Sequence, residues 1–388
     1  MSFWRNIAVA VGATPDIPQR KRTLDAQIRT IEPPAVVAIT VGGLDAVVSV
    51  GDEVDAGQLI ARSPDNARWI RRRHSSLVGT VAAVSEATVT IEGTPAERSD
   101  GAEGEAHVTP ATIVERIERA GVVGMGGAMF PTYVKLSPSH PVDTVLINGC
   151  ESEPYFTCDH RVLTEQRSVV ERGMKLAMQA VGAKHGLIIE HEAYYPAGYE
   201  RFVIRDHLGR LVPNRGLPRD VGVLVLNVQT AMAIRQAVDF EFPVTERVIT
   251  VDGDAVGRPG NYVVPIGTRV GHILTVCETD MSKVEAITAG GPMMGRIIDP
   301  EAGITAGTGG VLALTAGEID ARQPQPCLRC GRCFDACPVD LPVALLLEKP
   351  NADVLRCMGC GACQYVCPAS LPLVDQMRLA KSKEIEWD

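Results

Sequence analysis

Short apolar runs dominate the first hundred positions of the chain. Residues 36–39, 46–50 and 88–91 are rich in β-branched side chains and are bounded by Gly or Asp, which predicts short strands. Residues 94–108 are rich in Gly, Glu, Asp and Ser instead, a composition typical of a linker. A helical spacing of apolar positions follows in residues 111–120, so a second structural unit is predicted to begin there.

Strands and helices alternate through the middle of the chain. The predicted strands are 145–148, 186–190 and 221–226, and the predicted helices are 161–181 and 230–238. This alternation favours an α/β unit with a parallel sheet.

The pattern returns to short strands before the chain ends in helical segments. Residues 247–251 and 272–276 are apolar and β-branched, and both are predicted to be strands. Residues 341–347 predict a short helix, and residues 373–383 predict a longer, charged one.

Length and charge limit the classes of protein to consider. A chain of 388 residues favours about two to four domains over a single core. A net charge of −9 argues against nucleic acid as a partner, because binding phosphates requires a basic surface. No apolar run reaches the ~20 residues of a membrane helix, so any attachment to a membrane is expected through partners.

The most specific feature is a cysteine pattern that occurs twice. The spacing Cys-x-x-Cys-x-x-Cys-x-x-x-Cys-Pro is the spacing found in bacterial ferredoxins with two 4Fe–4S clusters. The first copy comprises Cys327, Cys330, Cys333 and Cys337, and the second comprises Cys357, Cys360, Cys363 and Cys367. Thiolates are soft ligands that suit iron–sulfur centres.

In such a motif the fourth cysteine binds the cluster held by the other copy. One cluster is therefore predicted on Cys327, Cys330, Cys333 and Cys367, and the other on Cys357, Cys360, Cys363 and Cys337. A zinc site usually takes two Cys-x-x-Cys pairs, and a disulfide framework suits small secreted domains, so both fit less well. Eight of the eleven cysteines lie in this stretch, a usage that suits a reducing cytosol.

A glycine-rich segment precedes the first strand of the α/β unit. Gly124, Gly126 and Gly127 predict a loop whose backbone amides approach a phosphate, with Lys135 downstream to pair with its charge. The strand that follows ends at Asn148, and open α/β sheets bind ligands at the carboxyl ends of their strands.

Several motifs together resemble one group of redox proteins. They are the glycine loop, Glu-Ser-Glu-Pro at 151–154, Asn-Val-Gln-Thr at 227–230, Gly-Gly-Pro-Met-Met-Gly at 290–295, residues 308–314 and the twin cysteine motif. The chain resembles the FMN- and NADH-binding flavoprotein subunit of respiratory complex I. It resembles more closely the C subunit of Rnf-type ion-translocating ferredoxin:NAD oxidoreductase complexes.

This resemblance implies roles for individual residues. Gly124, Gly126, Gly127 and Lys135 would hold the phosphate and ribityl chain of FMN. Asn148, Glu151 and Glu153 would line the isoalloxazine and nicotinamide side, Asn227 and Thr230 would close the other side, and Phe130 would stack on NADH. Met129 departs from the pattern because the relatives have Gly there, and a Met side chain is expected to crowd the nicotinamide pocket. Cys150 and Ser152 also differ from the residues expected there.

The predicted fold class is a multidomain combination of α+β and α/β units. Residues 1–34 form an N-terminal arm, and residues 35–108 resemble the barrel-sandwich hybrid of biotinyl and lipoyl carriers, followed by a linker. That hairpin has no Lys to modify, so a docking or scaffold role is expected. Residues 109–243 form the FMN- and NADH-binding α/β domain, 244–318 a soluble-ligand-binding β-grasp (SLBB) domain, and 319–388 the two-cluster ferredoxin domain.

The resemblance implies a subunit that transfers electrons between NADH, FMN and two 4Fe–4S clusters. It is expected in the cytoplasm, attached to the inner face of the cell membrane through membrane-embedded and other redox subunits, with ferredoxin or a similar carrier as a partner. No side-chain acid or base is nominated, because hydride transfer needs none. Two alternatives remain: a cobalamin reductase of a microcompartment, and a relay that has lost its flavin.

Overall fold

The structure is a computed structural model, and it describes residues 17–95, 108–190, 194–214 and 216–385. Half of the predicted N-terminal arm and most of the linker predicted at 94–108 lie outside the described residues. The remaining part of the arm is extended and forms one strand, β1 (Ile28–Thr30).

Seven short strands follow the arm and form two antiparallel sheets. They are β2 (Val36–Thr40), β3 (Asp45–Ala46), β4 (Glu53–Val54), β5 (Leu59–Arg62), β6 (Arg72–His74), β7 (Val78–Val84) and β8 (Thr88–Thr94). The strand orders are β2-β8-β7-β4 and β3-β5-β6. Both sheets contribute to one core that includes Val37, Ile60 and Leu77.

The strand predicted at 46–50 is wrong beyond Ala46. A turn interrupts it, because the Asp52 carboxylate accepts the N–H of Ser49 at 2.8 Å. Val47 and Val50 are exposed as a result.

The α/β unit contains a parallel sheet, as predicted. Its elements are α1 (Pro110–Arg119), α2 (Thr132–Lys135), β9 (Thr144–Asn148), α3 (Cys158–Val181), β10 (His185–Ile189), α4 (Glu200–Leu208), β11 (Val223–Asn227) and α5 (Val228–Asp239). The strand order is β10-β9-β11, and all of its pairings are parallel. Helices α3 and α5 pack so closely that a Cβ on Gly173 would lie 1.8 Å from the carbonyl oxygen of Ala231.

A mixed, six-stranded sheet follows. Its elements are β12 (Glu246–Asp252), β13 (Gly260–Pro265), α6 (Val270–Val276), β14 (Ala286–Ala289), β15 (Arg296–Ile297) and β16 (Gly310–Leu314). The strand order is β1-β13-β12-β16-β14-β15, so the N-terminal arm supplies an edge strand.

The strand predicted at 272–276 is wrong, because this segment is the helix α6. Its buried positions are Val270, Ile273, Leu274 and Cys277. Their spacing of three, four and seven residues places them on one helical face. Val270 and Cys277 lie outside the segment that was predicted as a strand. Without these two positions the helical spacing is not visible, and the β-branched composition of the segment alone wrongly indicates a strand.

The last part of the chain is built from short helices and loops. Its helices are α7 (Arg332–Asp335), α8 (Val343–Glu348), α9 (Ala362–Tyr365) and α10 (Leu373–Ile385). The chain is therefore a multidomain protein of mixed α/β type. None of the helices in the described residues combines the length and the apolar character that crossing a bilayer requires.

Candidate functional site

Two asparagines lie side by side at the carboxyl edge of the parallel sheet. Asn148 ends β9 and Asn227 ends β11, and the two residues are partners in the register of these strands. The Asn148 side chain donates to the carbonyl of Gly198 at 2.8 Å and accepts the N–H of Cys150 at 3.0 Å. Asn227 caps α5 by accepting the N–H of Gln229 at 2.9 Å. The sheet thus brings together two residues that are far apart in the sequence.

The glycine loop lies against the start of α5. Its ends are joined, because the N–H of Gly124 donates to the carbonyl of Phe130 at 2.9 Å. The N–H of Met125 donates to the Thr230 hydroxyl at 2.9 Å. A Cβ on Gly126 would lie 3.4 Å from the Cβ of Asn227. The loop and Asn227 therefore form one contiguous surface, and the buried Thr230 holds the loop against α5.

The outer part of this loop presents backbone amides to solvent. Gly126, Gly127 and Ala128 are exposed. Within the described residues, their N–H groups donate no hydrogen bond. Gly127 has a φ of +110°, which favours glycine, and a Cβ there would contact nothing within 4 Å. Consecutive unpaired amides around a positive-φ residue form a concavity that suits an anion such as a phosphate.

Lys135 and Phe130 lie beside this loop. The Lys135 ammonium is 3.3 Å from the carbonyl oxygen of Val225, two residues before Asn227. The Phe130 ring meets the ring of Trp69, from the hairpin between β5 and β6, edge to face with 5.0 Å between centroids. Trp69 was not identified from the sequence.

Met129 turns its side chain towards Gly307, which also lies close to the carbonyl of Gly127. A Cβ on Gly307 would lie 2.7 Å from Met129 Cγ, so the methionine packs over the backbone at Gly307. It also borders a cavity of about 50 Å³ that Arg73 and His74 line from the first β unit. Among the described residues, no contact of Met129 supports the expectation that its side chain crowds the nicotinamide pocket. Its φ of +50° explains why glycine suits this position.

Glu151 occupies the amino end of the long helix α3. Its carboxylate accepts the N–H of Asp159 and the N–H of His160, both at 3.1 Å. Burial raises the pKa of Glu151, and the neighbouring charge of Asp159 raises it further. Asp159 also accepts a hydrogen bond from the side chain of Asn227, which links this carboxylate pair to the strand ends.

Glu153 links the same segment to a distant loop. Its carboxylate accepts the N–H of Met293 at 2.8 Å and the N–H of Met294 at 3.2 Å. A Cβ on Gly291 would lie 2.2 Å from Glu153 Cγ, so only glycine allows this approach. Burial raises the pKa of Glu153 to about 7.

Lys21 fastens the segment that carries both glutamates. Its ammonium donates to the carbonyls of Glu151, Glu153 and Phe156 at 2.8, 2.7 and 2.6 Å. Lys21 lies within the basic run at 20–22 and is nevertheless buried, which lowers its pKa. Nothing in the local pattern distinguishes Lys21 from its two basic neighbours, so its role depends on the fold.

Four cysteines from both copies of the motif line one pocket. They are Cys337 from the first copy and Cys357, Cys360 and Cys363 from the second. This is the crossed set that the spacing predicts. Burial raises the pKa of Cys360 to about 11 and that of Cys363 to about 12. Thiolates form at such buried positions only beside a compensating positive charge, which a metal centre supplies.

The other four cysteines lie nearer to solvent. Cys327 and Cys330 are exposed, while Cys333 and Cys367 are half-buried. The segment before Cys327 runs beside the segment after Cys367, because the N–H of Gln325 donates to the carbonyl of Ala369 at 2.9 Å. The Sγ of Cys327 accepts the N–H of Arg329 at 3.4 Å. In the described part of the chain, no three His, Cys, Asp or Glu side chains are arranged to hold a single metal ion.

The inner cysteine pocket adjoins the strand-end site. The Tyr195 hydroxyl donates to the carbonyl of Cys360. A Cβ on Gly361 would lie 3.1 Å from the carbonyl oxygen of Met293, the residue whose N–H binds Glu153. Tyr195 lies three residues before Gly198, which binds Asn148. Two short paths thus connect the sheet edge to the pocket of Cys337, Cys357, Cys360 and Cys363.

Comparison with known families finds two domains. Residues 117–194 match the Nuo51 FMN-binding domain, and residues 319–368 match the 4Fe-4S dicluster domain. The first match contains the glycine loop and both glutamates, and the second contains both copies of the cysteine motif.

Curated relatives align with most of the chain. The C subunit of the ion-translocating oxidoreductase complex of Rhodobacter capsulatus is 34% identical over 369 residues, which cover 82% of this chain and 70% of the relative. The C subunit of the proton-translocating ferredoxin:NAD(+) oxidoreductase complex of Clostridium ljungdahlii is 33% identical, with 77% and 74% covered. The C subunit of the Na(+)-translocating ferredoxin:NAD(+) oxidoreductase complex of Acetobacterium woodii is 37% identical, with 59% and 58% covered.

Proposed function

Because the chain belongs to the family of C subunits of ion-translocating oxidoreductase complexes, we propose that it is an electron-transfer subunit working between NADH, an FMN and two 4Fe–4S clusters. It is an oxidoreductase subunit that functions within a larger complex. The matched FMN-binding and dicluster domains support these cofactors.

The observation that carries this proposal is the contact between the two candidate centres. Met293 donates its N–H to Glu153 and places its carbonyl oxygen against Gly361. The Tyr195 hydroxyl donates to the carbonyl of Cys360, and Gly198, three residues further on, binds Asn148. Electron transfer between two cofactors requires their binding sites to be close. Two binding sites with unrelated functions would not need to lie next to each other. The arrangement therefore supports one redox unit.

We propose that the glycine loop and the strand ends hold the FMN. The free amides of Gly126 and Gly127, with Gly124 and Lys135 nearby, would receive the phosphate and ribityl chain. Asn148 and Asn227 each use one side-chain N–H and one oxygen lone pair within the protein, and the remaining N–H and lone pair of each amide would meet polar groups of a planar ring system.

The remaining predicted residues support this site from its two sides. Glu151 and Glu153 hold the segment that follows Asn148, Thr230 anchors the loop through Met125, and Phe130 stands beside the loop for the nucleotide. A bound flavin would supply the exchange between two-electron nicotinamide chemistry and one-electron iron–sulfur chemistry.

We propose that the two cysteine sets hold the clusters as the spacing predicts. Cys337, Cys357, Cys360 and Cys363 would bind the inner cluster. Cys327, Cys330, Cys333 and Cys367 would bind an outer cluster close to solvent, where a partner can approach. The difference in exposure between the two sets supports this order, since exposure also affects the potential of a cluster.

The finer domain description is also a proposal. We assign residues 35–108 to a barrel-sandwich hybrid with its linker, 109–243 to the flavin domain, 244–318 to the β-grasp domain and 319–388 to the ferredoxin domain, preceded by the arm at 1–34. The two antiparallel sheets around one core support the first assignment. The arm strand β1, which pairs with β13, supports an arm that fastens the β-grasp domain.

We further propose that the protein is attached to the inner face of the cell membrane through membrane-embedded subunits and exchanges electrons with ferredoxin or a similar carrier. The named relatives are subunits of ion-translocating complexes, and two of those complexes are named for ferredoxin.

The test is anaerobic purification followed by quantification of iron, sulfide and flavin. We expect about eight irons and about one FMN per chain, with the absorbance of both cofactors bleached by NADH. Eight irons without flavin and without a response to NADH would contradict the proposal and favour the relay that has lost its flavin. Reduction of a corrinoid by the loaded protein would favour the cobalamin reductase instead.

A pair of cysteine variants makes this test specific. Cys360→Ser is expected to lower the iron content by about half and to leave the flavin in place, because it removes a ligand of one cluster only. Cys277→Ala is the matched control, since Cys277 is also a buried cysteine but packs in the core beside α6. It is expected to leave the iron content unchanged.

A further inference from the structure

The hairpin between β5 and β6 reaches from the first β unit to the glycine loop. We call residues 64–70 the hairpin tip. Within it, Trp69 meets the ring of Phe130 edge to face at 5.0 Å between centroids. The N–H of Ile70 donates to the Tyr133 hydroxyl at 2.8 Å. The tip is thus held next to the segment that follows the exposed amides.

The hairpin tip keeps a large part of its surface open. Trp69 is 37% exposed and Ile70 is 42% exposed, although both residues make contacts with the α/β unit. The exposed amides of Gly126 and Gly127 lie only three or four residues before Phe130. The ring that Trp69 meets therefore lies on the chain segment that directly follows the exposed amides.

A cation completes this arrangement. The Arg68 guanidinium lies over the Trp69 ring, 4.7 Å from its centroid. Arg68 is exposed and forms no ion pair with the described residues. A guanidinium stacked on an indole is positioned by the ring while its N–H donors stay available for a phosphate.

We propose that the hairpin tip completes the dinucleotide site, with Trp69 stacking on the adenine of NADH and Arg68 binding its diphosphate. This inference rests on the proposed function. The nicotinamide has to reach the ring system at the strand ends, near Asn148 and Asn227. The rest of the dinucleotide then extends outwards past the loop, towards the exposed rim where Trp69 stands.

A purely structural role for Trp69 is the competing explanation. The two units have other contacts that dock them, among them the hydrogen bond from Ile70 to Tyr133 and the ion pair between Arg72 and Glu118 at 3.2 Å. A ring that serves only docking is expected to be covered by its neighbours. The exposed part of Trp69 favours a ligand, and so does the charge of Arg68, which no described residue pairs in an ion pair.

The test compares two substrates that share the nicotinamide. Reduced nicotinamide mononucleotide carries the same reacting ring as NADH but lacks the adenosine monophosphate half. Trp69→Ala is expected to raise KM for NADH by about tenfold, the scale of one base stacked on one aromatic side chain. KM for the mononucleotide and kcat for both substrates are expected to stay unchanged, with ferricyanide as the electron acceptor.

Two further variants separate binding from docking. Trp69→Phe keeps a ring and is expected to recover most of the affinity for NADH. Glu118→Gln removes an ion pair between the same two units away from the hairpin tip, and it is expected to leave both KM values unchanged.

The outcomes distinguish this inference from the proposed function. An equal rise of KM for both substrates in Trp69→Ala, or no rise for either, would overturn the role of the hairpin tip while wild-type activity upholds the proposed function. A wild-type protein that contains FMN and fails to oxidise NADH or the mononucleotide would contradict the proposed function, and the inference would fail with it.

Discussion

Glu153 has a buried carboxyl group, and burial disfavours its ionised form. The carboxylate accepts two backbone N–H groups, yet burial prevails and raises its pKa to about 7. The group therefore keeps its proton well above the pH at which a free glutamate ionises. Because the same oxygen, Oε1, accepts both hydrogen bonds, an amide at this position can make them too.

We predict that Glu153→Gln preserves the contact with Met293 and removes a titration near pH 7. A raised pKa means that the folded protein binds a proton that the unfolded chain has released between about pH 4.5 and 7, so ionisation of Glu153 lowers stability as pH rises through this window. The variant is expected to lose less stability than the wild type between pH 5 and 8. Apparent Tm measured across that range on loaded protein tests this.

An infrared titration identifies the group directly. The wild type is expected to lose a protonated-carboxyl band as pH rises through about 7, and Glu153→Gln is expected to lack the part of this band that Glu153 contributes, while Glu151, whose pKa burial also raises, keeps its own part. Glu86→Gln, at an exposed position, is the control and should leave the band in place. Persistence of the whole band in Glu153→Gln would show that another carboxyl carries the proton.

The residues of the candidate site differ in how far the sequence could identify them. The cysteines carry their own spacing, and the structure brings the crossed set around one pocket as that spacing requires. Lys21 and Trp69 have no such spacing. Lys21 donates hydrogen bonds to carbonyl groups more than a hundred residues away, and Trp69 packs against the ring of Phe130, which belongs to the α/β unit. Contacts of this kind follow only from the arrangement of the domains.

At the scale of elements, the close packing of two helices positions the glycine loop. Helix α5 begins beside Asn227 and presents Thr230 to the loop, and α3 packs against it where Gly173 meets Ala231. A Cβ at Gly173 would lie only 1.8 Å from a backbone oxygen, so no side-chain rotation relieves the clash. The helices must separate instead, and α5 then moves relative to the loop.

We predict that Gly173→Ala destabilises the protein by about 1–3 kcal/mol, the usual cost of overpacking. The flavin content of the purified variant is expected to fall, because the surface formed by the loop and Asn227 is disturbed. Iron content is expected to stay the same, since the cysteine pocket lies elsewhere. Tm measures the change in stability, and cofactor quantification measures the flavin and iron contents of the same preparation.

A second substitution on the same helix serves as the reference for this prediction. Ser168→Ala lies on the exposed face of α3 and is expected to change neither Tm nor flavin content. A normal flavin content in a destabilised Gly173→Ala would show that the helix contact supports stability alone.

The strands of the alternating unit were predictable, and so were the strands at 36–39, 88–91 and 247–251, whereas the predictions at 46–50 and 272–276 were wrong. The three parallel strands of the α/β unit match their predicted positions within a few residues. The segment 272–276 has the β-branched composition of a strand, but its register with Val270 and Cys277 gives one helical face. A five-residue run is too short to reveal that period, which appears only when the flanking positions are included.

At the scale of the whole molecule, the units meet at the sites that matter for function. The arm binds the glutamate segment through Lys21, the hairpin tip meets the glycine loop, and the ferredoxin unit meets the segment between β10 and α4 through Tyr195. Each contact joins residues distant in sequence, so no local pattern predicts it. The FMN-binding and dicluster domains were predictable from their motifs, whereas their mutual placement was not.

The contact between Tyr195 and Cys360 leads to the last prediction. Hydrogen bonds around a cluster and its exposure to solvent help to set its reduction potential. The Tyr195 hydroxyl directs a positive dipole at the carbonyl of Cys360, which favours the more negative, reduced state of a cluster bound there. Tyr195→Phe removes this dipole and keeps the ring, so we expect the potential of the inner cluster to fall by about 40 mV, equivalent to about 1 kcal/mol for one electron.

Redox titrations followed by electron paramagnetic resonance can distinguish this effect from a general loosening of the junction. The outer cluster that we propose on Cys327, Cys330, Cys333 and Cys367 is expected to keep its potential, and iron and flavin contents should match those of the wild type. Tyr194→Phe changes the neighbouring tyrosine, which packs in the core of the α/β unit, and is expected to shift neither cluster. Equal shifts of both clusters in Tyr195→Phe would instead indicate that the ferredoxin unit has moved as a whole, and the hydroxyl would then serve docking rather than tuning.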